Sequence, residues 1–544
     1  MSIPIRTLKS SQLTPYIPLF LSHLTESPRT SASWRGIVTS SSSYRNHQYF
    51  QSRKFSISTL SRIQVKPGKY GQPLSKTHPH LIQIDDLTPG IPAGEYEDRR
   101  RKLMKNLPEG AVVICMGGTV RYIFSLLIRK ILKVATDFFY LTGFDEPEAT
   151  LVLESNSSSR DYKYTLFVPP KDTHEALWAG ECTGVEGAVS IFGADEAHSH
   201  TSLSSFLPSL LRSDHVYASL PPLPSPSRSS QPFHPRLPKK RSSLLKLFNA
   251  TSDSFGDKDP PHLLIAAALA GEKAKPLEKE VQRLRVVKSP NELARMQLAA
   301  DISAAGHAEV MKFAEPGKSE AQLAAVFEYH CAMNGADRPA YVPVVASGAN
   351  ALVIHYTHNN CLIEHNDLIL IDAGCEHSHY AADITRTFPA NGKFTPAQRD
   401  LYEAVLNAQK ECVRRCRIED GISLNELHRA SCSMLTEELR QIGFRLSPGD
   451  LERKLYPHFL SHHLGSDLHD CPSTDRSSPL VNGNVVTIEP GIYVPFDNSF
   501  PSAFHGIGIR IEDEVAITPN GPLILSSKAP KEIDDVERAC QGEN

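Results

Sequence analysis

Apolar positions along the chain repeat with two periods, and the change of period marks its parts. Short β-branched and aromatic runs bounded by turn residues predict strands: "AVVICM" at 111–116, "ATLVLES" at 149–155 and "YTLFVPP" at 164–170. From 289 the pattern becomes helical. Ser289 is placed to cap a helix, Pro290 suits its first position and Glu292 completes a capping box. Leu293, Met296, Ala300 and Ile302 give the apolar face, and "EPGKS" ends it. Thr395-Pro396 and Ser423-x-x-Glu426 open two more helices by the same logic, with Gly443 closing the last. Strand patterns return between and after them. The prediction is an α+β domain over 286–530, with helices packed on an antiparallel sheet.

Several predicted strands end in acids. "LILID" leads into Asp372, "GCEHSHY" reads as a turn, and "AADITRT" reads as a returning strand carrying Asp383. Such a hairpin brings two carboxylates together. Buried alone they repel, and one takes up a proton unless a cation sits between them. These two acids alone read equally well as turn or edge-strand residues. Downstream, "VVTIEPGIY" puts Glu489 at the end of a β-branched run. "GIGIRIEDEV" alternates, with Ile509 and Ile511 on one face and Arg510 and Glu512 on the other. "YPHFLSHHLGSDLHD" packs His458, His462, His463 and His469 together, and "LVIHYTHNN" adds His355 and His358. Four carboxylates and one histidine are mostly hard oxygen donors, suited to Mn²⁺, with Co²⁺ or Zn²⁺ as alternatives. Their charge suits two divalent ions, about 3.5–4 Å apart, better than one.

Composition narrows the classes. A chain of 544 residues predicts two or three domains, and a net charge of −3 argues against a nucleic-acid partner. The ten cysteines contain no CxxC pair, so reduced thiols are expected. No apolar run is long enough to span a membrane; "YIFSLLIRKILKVATDFFYL" is broken by Arg129, Lys130 and Lys133. Residues 1–62 are Ser-rich and carry Arg6, Lys9, Arg29, Arg35, Arg45, Arg53, Lys54 and Arg62 against one acid, Glu26. That composition predicts a disordered mitochondrial transit peptide. The Pro-, Ser- and base-rich stretch at about 206–262 predicts a disordered insertion.

"IDAGCEHSHYAADITRTFP", "SHHLGSDLHD", "TIEPGIY" and "GIRIEDEV", in this order, resemble the signature blocks of the aminopeptidase P branch of the pita-bread dinuclear metallopeptidases. The resemblance covers roughly 78–530. It implies a pita-bread catalytic domain over 286–530, preceded by a smaller α/β aminopeptidase P N-terminal domain over 78–285. It implies that Asp372 holds one metal, that Asp383 and Glu512 bridge both, and that His462 and Glu489 complete the second. The ligand follows serine in the "SH(x)LG" block, which selects His462 over His463. Glu489 is implied to carry the water proton as well, and His355 and His469 to stabilise the intermediate. His458, Tyr493 and Arg510 are implied to shape substrate binding, Arg510 by bracing the metal-site carboxylates.

"DFFYLTGFDEPEATLVL" and "LWAGECTGVEGA" resemble the branch's N-terminal domain, where a tryptophan at the position of Trp178 reaches a neighbouring subunit's site. A homo-oligomer, dimer or tetramer, follows. "IFSLLIRKILKVAT" at 123–136 departs from the polar, aromatic-rich segment of relatives. "THPHLIQIDDLTPGIPAGEYEDRRRKLM" resembles the leader block of the mitochondrial, intermediate-cleaving members.

The activity implied is release of one N-terminal residue from peptides and proteins, of Xaa-Pro type, through a metal-bridging hydroxide. The alternative is trimming of one bulky residue from precursors already cut by the matrix processing peptidase, with no proline requirement. "SRKFSIS" fits that alternative, since Arg53 lies two before Phe55. Prolidase and a metal-free binding protein are lesser alternatives. The location implied is the mitochondrial matrix, with or without association with the inner membrane.

Overall fold

The computed structural model describes residues 70–118, 121–123, 128–130, 134–156, 160–220 and 261–542, with 121–123 and 128–130 described by backbone alone. The predicted transit peptide, the "SRKFSIS" motif, much of 123–136 and residues 221–260 lie outside the described residues.

The N-terminal half is built on a six-stranded mixed sheet. Its strand order is Ala274–Pro276, Val216–Ser219, Val112–Met116, Thr150–Ser155, Tyr162–Val168, Glu196–Ser199. Alternation sorts the side chains. Val113, Cys115, Leu151 and Leu153 pack with Leu103, Phe138 and Phe144 in one core. Val112, Ile114 and Val152 pack with Leu203, Leu207 and Ile265 in another. Both faces are covered, so the strands read as continuous apolar runs.

The expected insertion is too wide. Within 206–220 lie most of the helix Leu203–Leu210 and all of the strand Val216–Ser219, which pairs in parallel with Val112–Met116 and Ala274–Pro276. The helix Pro261–Ala270 begins inside the predicted stretch as well. Leu203, Leu207 and Leu210 recur at helical spacing and are buried, a pattern that the surrounding serines and prolines obscure.

The C-terminal half opens with the helix Pro290–Phe313, where Ser289 and Glu292 form the predicted capping box. Capping boxes at Thr395 and Ser423 begin the helices Pro396–Arg414 and Leu424–Gln441. Leu401, Val405, Leu435 and Leu439 pack these two helices over the strands that carry Ile492, Ile509 and Ile511. Beneath them run the antiparallel strands Val344–Ser347, Leu368–Asp372 and Thr385–Pro389, and a second sheet of Val485–Ile488, Asp513–Thr518 and Gly521–Ile524.

Two details differ from the sequence pattern. Asp383 precedes its returning strand, which starts at Thr385 opposite Asp372. The presumed turn is itself a hairpin of Cys375–His377 with Tyr380–Ala381, reversed at Ser378 and His379, whose φ angles are 51° and 70°. "GIGIRIEDEV" is likewise two strands, Gly508–Arg510 and Asp513–Thr518, each with its own partner. Ile511 and Glu512 make the crossing between them. Ile509, Arg510, Ile511 and Glu512 are all buried, because the polar face of the alternation lines a site and not the solvent.

Candidate metal centre

The strand ends converge. Asp372 closes its strand, and Asp383 follows two residues after the hairpin ends at Ala381. Gly374 makes this path possible: a Cβ there would collide with the Ala382 carbonyl oxygen. His462 is held on the next sheet. Its N–H donates to the Thr487 hydroxyl at 3.1 Å, and the Thr487 N–H returns to the His462 carbonyl at 3.0 Å. Glu489 follows directly on the strand Val485–Ile488, and Glu512 precedes Asp513–Thr518.

One donor atom each of Asp383, His462 and Glu512 lie within 4.8 Å of one another. His462 Nε2 is 3.3 Å from Asp383 and 3.7 Å from Glu489. Its Nδ1–H donates to the His463 carbonyl at 3.0 Å, which leaves Nε2 free to face the acids. His463 is elsewhere: it is buried, Lys288 and Asp470 supply its nearby charges, and its ring Nδ1 has no hydrogen-bond partner.

Arg510 braces the cluster from behind. Its guanidinium donates to Asp372 at 2.7 Å, to the Tyr493 hydroxyl at 2.7 Å and to the Thr385 hydroxyl at 3.2 Å. Tyr493 lies 2.9 Å from His458 Nε2, and His458 Nδ1 meets the Phe459 carbonyl at 3.0 Å. The pattern is satisfied by Nδ1–H donating to Phe459 while Nε2 accepts from Tyr493. Burial, with Arg510 adding to it, holds His458 down at about 3, so its ring is neutral.

Charge decides what the cluster needs. Two like charges 4 Å apart repel by about 4 kcal/mol at an effective dielectric of 20. Four carboxylates face the single guanidinium of Arg510, which pairs directly with Asp372 alone. Burial and then the charges of Asp383, Glu489 and Asp372 push Glu512 far above the usual carboxylate range. Burial, partly offset by His462 and reinforced by Asp383, raises Glu489 to about 8. His462 rises to about 9: burial opposes its charge, but Asp383 and then Glu489 outweigh that. Without a cation, then, the site holds protons where a set of ligands must hold none. The donor set therefore fits divalent ions, and Asp372, Asp383, His462, Glu489 and Glu512 are the residues that would hold them.

Three supporting groups escape the sequence pattern. The Tyr341 hydroxyl reaches Asp372 at 2.5 Å and Asp383 at 2.7 Å. The Thr385 hydroxyl donates to Glu512 at 2.6 Å. Glu514 accepts the Asp383 N–H at 2.8 Å, and burial drives its own carboxyl well upward, so it serves as a neutral prop. Only Thr385 stood inside a block that drew notice. A tyrosine in "PAYVPVV" reads as core.

The cluster opens into a cleft of ≈ 940 Å³. His355, His458 and His469 line it, and the His469 ring meets His462 edge-on at 4.4 Å between centroids. Trp178 is not among the cleft's lining residues. It sits on the short helix Thr173–Ala179, 74% exposed beside Leu177 at 79%.

Two family models match this architecture. "Aminopeptidase P, N-terminal domain" covers 96–217 and "Metallopeptidase family M24" covers 294–519. Intermediate cleaving peptidase 55 of Saccharomyces cerevisiae is 38% identical over 483 residues, 88% of this chain and 90% of the relative. Xaa-Pro aminopeptidase 3 of Mus musculus is 37% identical, over 88% of this chain and 92% of the relative. A crystal structure of Icp55 from Saccharomyces cerevisiae, 35% identical, superposes with a TM-score of 0.72, covering 85% of this chain and all of that one, 100%.

Proposed function

Because the chain belongs to the aminopeptidase P branch of metallopeptidase family M24, we propose that it is a mitochondrial metalloaminopeptidase that removes one residue from the N-termini of peptides and proteins. The observation that carries this reading is the acid cluster set at one end of the cleft, ringed by His355, His458 and His469. Two divalent ions, Mn²⁺ by the hardness of the donors, would supply Lewis acidity and an acidified water when bound. This chain's residues do the rest. Glu489 accepts the water proton and passes it toward the departing amine. His355 and His469 donate to the oxygen of the scissile carbonyl as it gains charge, a contribution of about 3–4 kcal/mol for preorganised donors. Arg510, through Tyr493, fixes the tautomer of His458, so that its neutral ring faces substrate in one orientation.

Nothing in this machinery engages the second residue of the substrate, so proline there is accepted and not required. That favours processing of imported precursors, in line with the relatives named for intermediate cleavage and with Phe55 two residues after Arg53. The oligomer belongs to the same reading: exposed Leu177 and Trp178 present an apolar patch that suits a neighbouring copy. The test offers the Mn²⁺-loaded enzyme two peptides, beginning Phe-Ser and Phe-Pro. Release of phenylalanine from both is expected. Cleavage of Phe-Pro alone leaves an Xaa-Pro enzyme with no such processing role, and no release from either rejects the aminopeptidase.

A further inference from the structure

His462 and His469 share one loop but are held differently. His462 is fixed by hydrogen bonds to Thr487 and His463. His469 is exposed at the cleft, and its place depends on the backbone around it. The Asp470 N–H closes the loop onto the His463 carbonyl at 2.9 Å, and Gly465 packs so closely that a Cβ there would strike the Asp470 carboxylate.

The outside of this loop is gripped by a buried ion network spanning the two halves of the protein. Arg285, 4% exposed, ends the helix Glu278–Arg285 that connects them. Its Nη1 donates to Asp137, on the N-terminal helix Thr136–Thr142, at 2.6 Å. Its Nη2 donates to Asp467 at 2.7 Å and also to Asp470. Lys288 takes the other Asp470 oxygen at 2.9 Å, and the Thr136 hydroxyl takes the other Asp467 oxygen at 2.6 Å. Asp467 and Asp470 bracket Leu468 and His469, so both ends of this short span are tied to Arg285 and to the N-terminal half.

We propose that Arg285 is a positioning residue for the reaction: by joining Asp137, Asp467 and Asp470, it makes the N-terminal half hold His469 against the scissile carbonyl. The inference rests on the role given to His469 above. A planar fork with several fixed donors can serve three carboxylates at once, whereas a lysine ammonium is a point charge on a flexible stem. A displacement of about 1 Å at a catalytic group can cost on the order of 100-fold in rate.

The test is a set of mutant cycles on the full-length, metal-loaded enzyme: Arg285→Lys, Asp137→Asn and His469→Ala, alone and combined. Asp137→Asn removes one arm of the grip without touching the loop, and covers the case in which Arg285→Lys does not fold. For Arg285→Lys we expect kcat to fall about tenfold or more, with KM and bound metal changed by less than about twofold, as for an orientation effect. Asp137→Asn should fall in the same direction by less. In the His469→Ala background, neither should lower kcat by more than about twofold further, since the group they act through is gone. Losses that multiply, loss of metal, or an unchanged kcat in both single variants overturn the proposal. Full turnover by His469→Ala alone instead rejects the role of His469, and the clamp with it.

Discussion

At Glu489, a ligand position and the position for proton transfer coincide. Glu489→Gln keeps the shape and removes the basic oxygen. We expect kcat to fall by about 100-fold or more, with a melting curve close to that of the parent. Tyr341→Phe deletes one hydroxyl that touches two acids at once. Metal affinity, measured by competition with a chelator, should weaken about tenfold or more, as when other outer partners of ligands are lost. His307 offers a pH handle away from the ligands: it is buried, lies 2.9 Å from the Ala373 carbonyl and is lowered by burial to about 4. Its unfolded pKa is near 6.5. Stability is therefore whole above that value and is lost as pH falls from 6.5 through 4, by about 3 kcal/mol at most from this residue. Denaturant titrations of the metal-free protein should show that loss, and His307→Gln should flatten it. An equal slope in the variant means that other groups set the acid limit. The acids were legible at this scale because each ends an apolar run, which is unusual for a charge. Tyr341 was not, because an aromatic among valines and prolines carries no such mark.

Among the elements, the helices announced themselves best. Ser289, Thr395 and Ser423 cap as expected, because a capping box is a local hydrogen-bond pattern written within four residues. The strands were placed less well. Asp383 lies outside its strand, and Arg510 and Glu512 flank a crossing, since pairing depends on partners far away in the chain. Gly374 shows what the short turn between them demands. Gly374→Ala should displace Asp383 through the Ala382 carbonyl, lowering metal content and turnover together while the circular dichroism of the helices persists. A fully metallated, active Gly374→Ala enzyme means that the backbone yields more easily than this contact implies.

For the molecule as a whole, composition misled more than pattern did. Prolines and serines around 206–220 hid a helix and a strand of the N-terminal sheet, because burial of Leu203, Leu207 and Val216 is decided by what packs on them and not by their neighbours in the chain. The ion network of Arg285 is equally non-local, joining residues more than 140 positions apart. The metal centre also acts at this scale, since the acid cluster strains the fold until cations fill it. Ions that bind the folded chain alone stabilise it by about 2.7 kcal/mol at 100 times Kd. Chelation should therefore abolish turnover and lower the melting temperature by several degrees, with both restored by Mn²⁺. An unshifted melting temperature would mean that the acids accommodate one another without ions.

The placement of the acid cluster inside a cleft sets a condition of timing on its substrates. An extended chain advances only about 3.3–3.6 Å per residue, so an amino terminus must bring several slack residues with it to reach the bottom. A newly exposed end has that slack while its protein is still unfolded or keeps a loose tail. Once the first residues are tucked into a finished fold, they are out of reach. Trimming by this protein is thus a race against the folding of its clients, and rapid folders with short leaders keep the residue that slow folders lose.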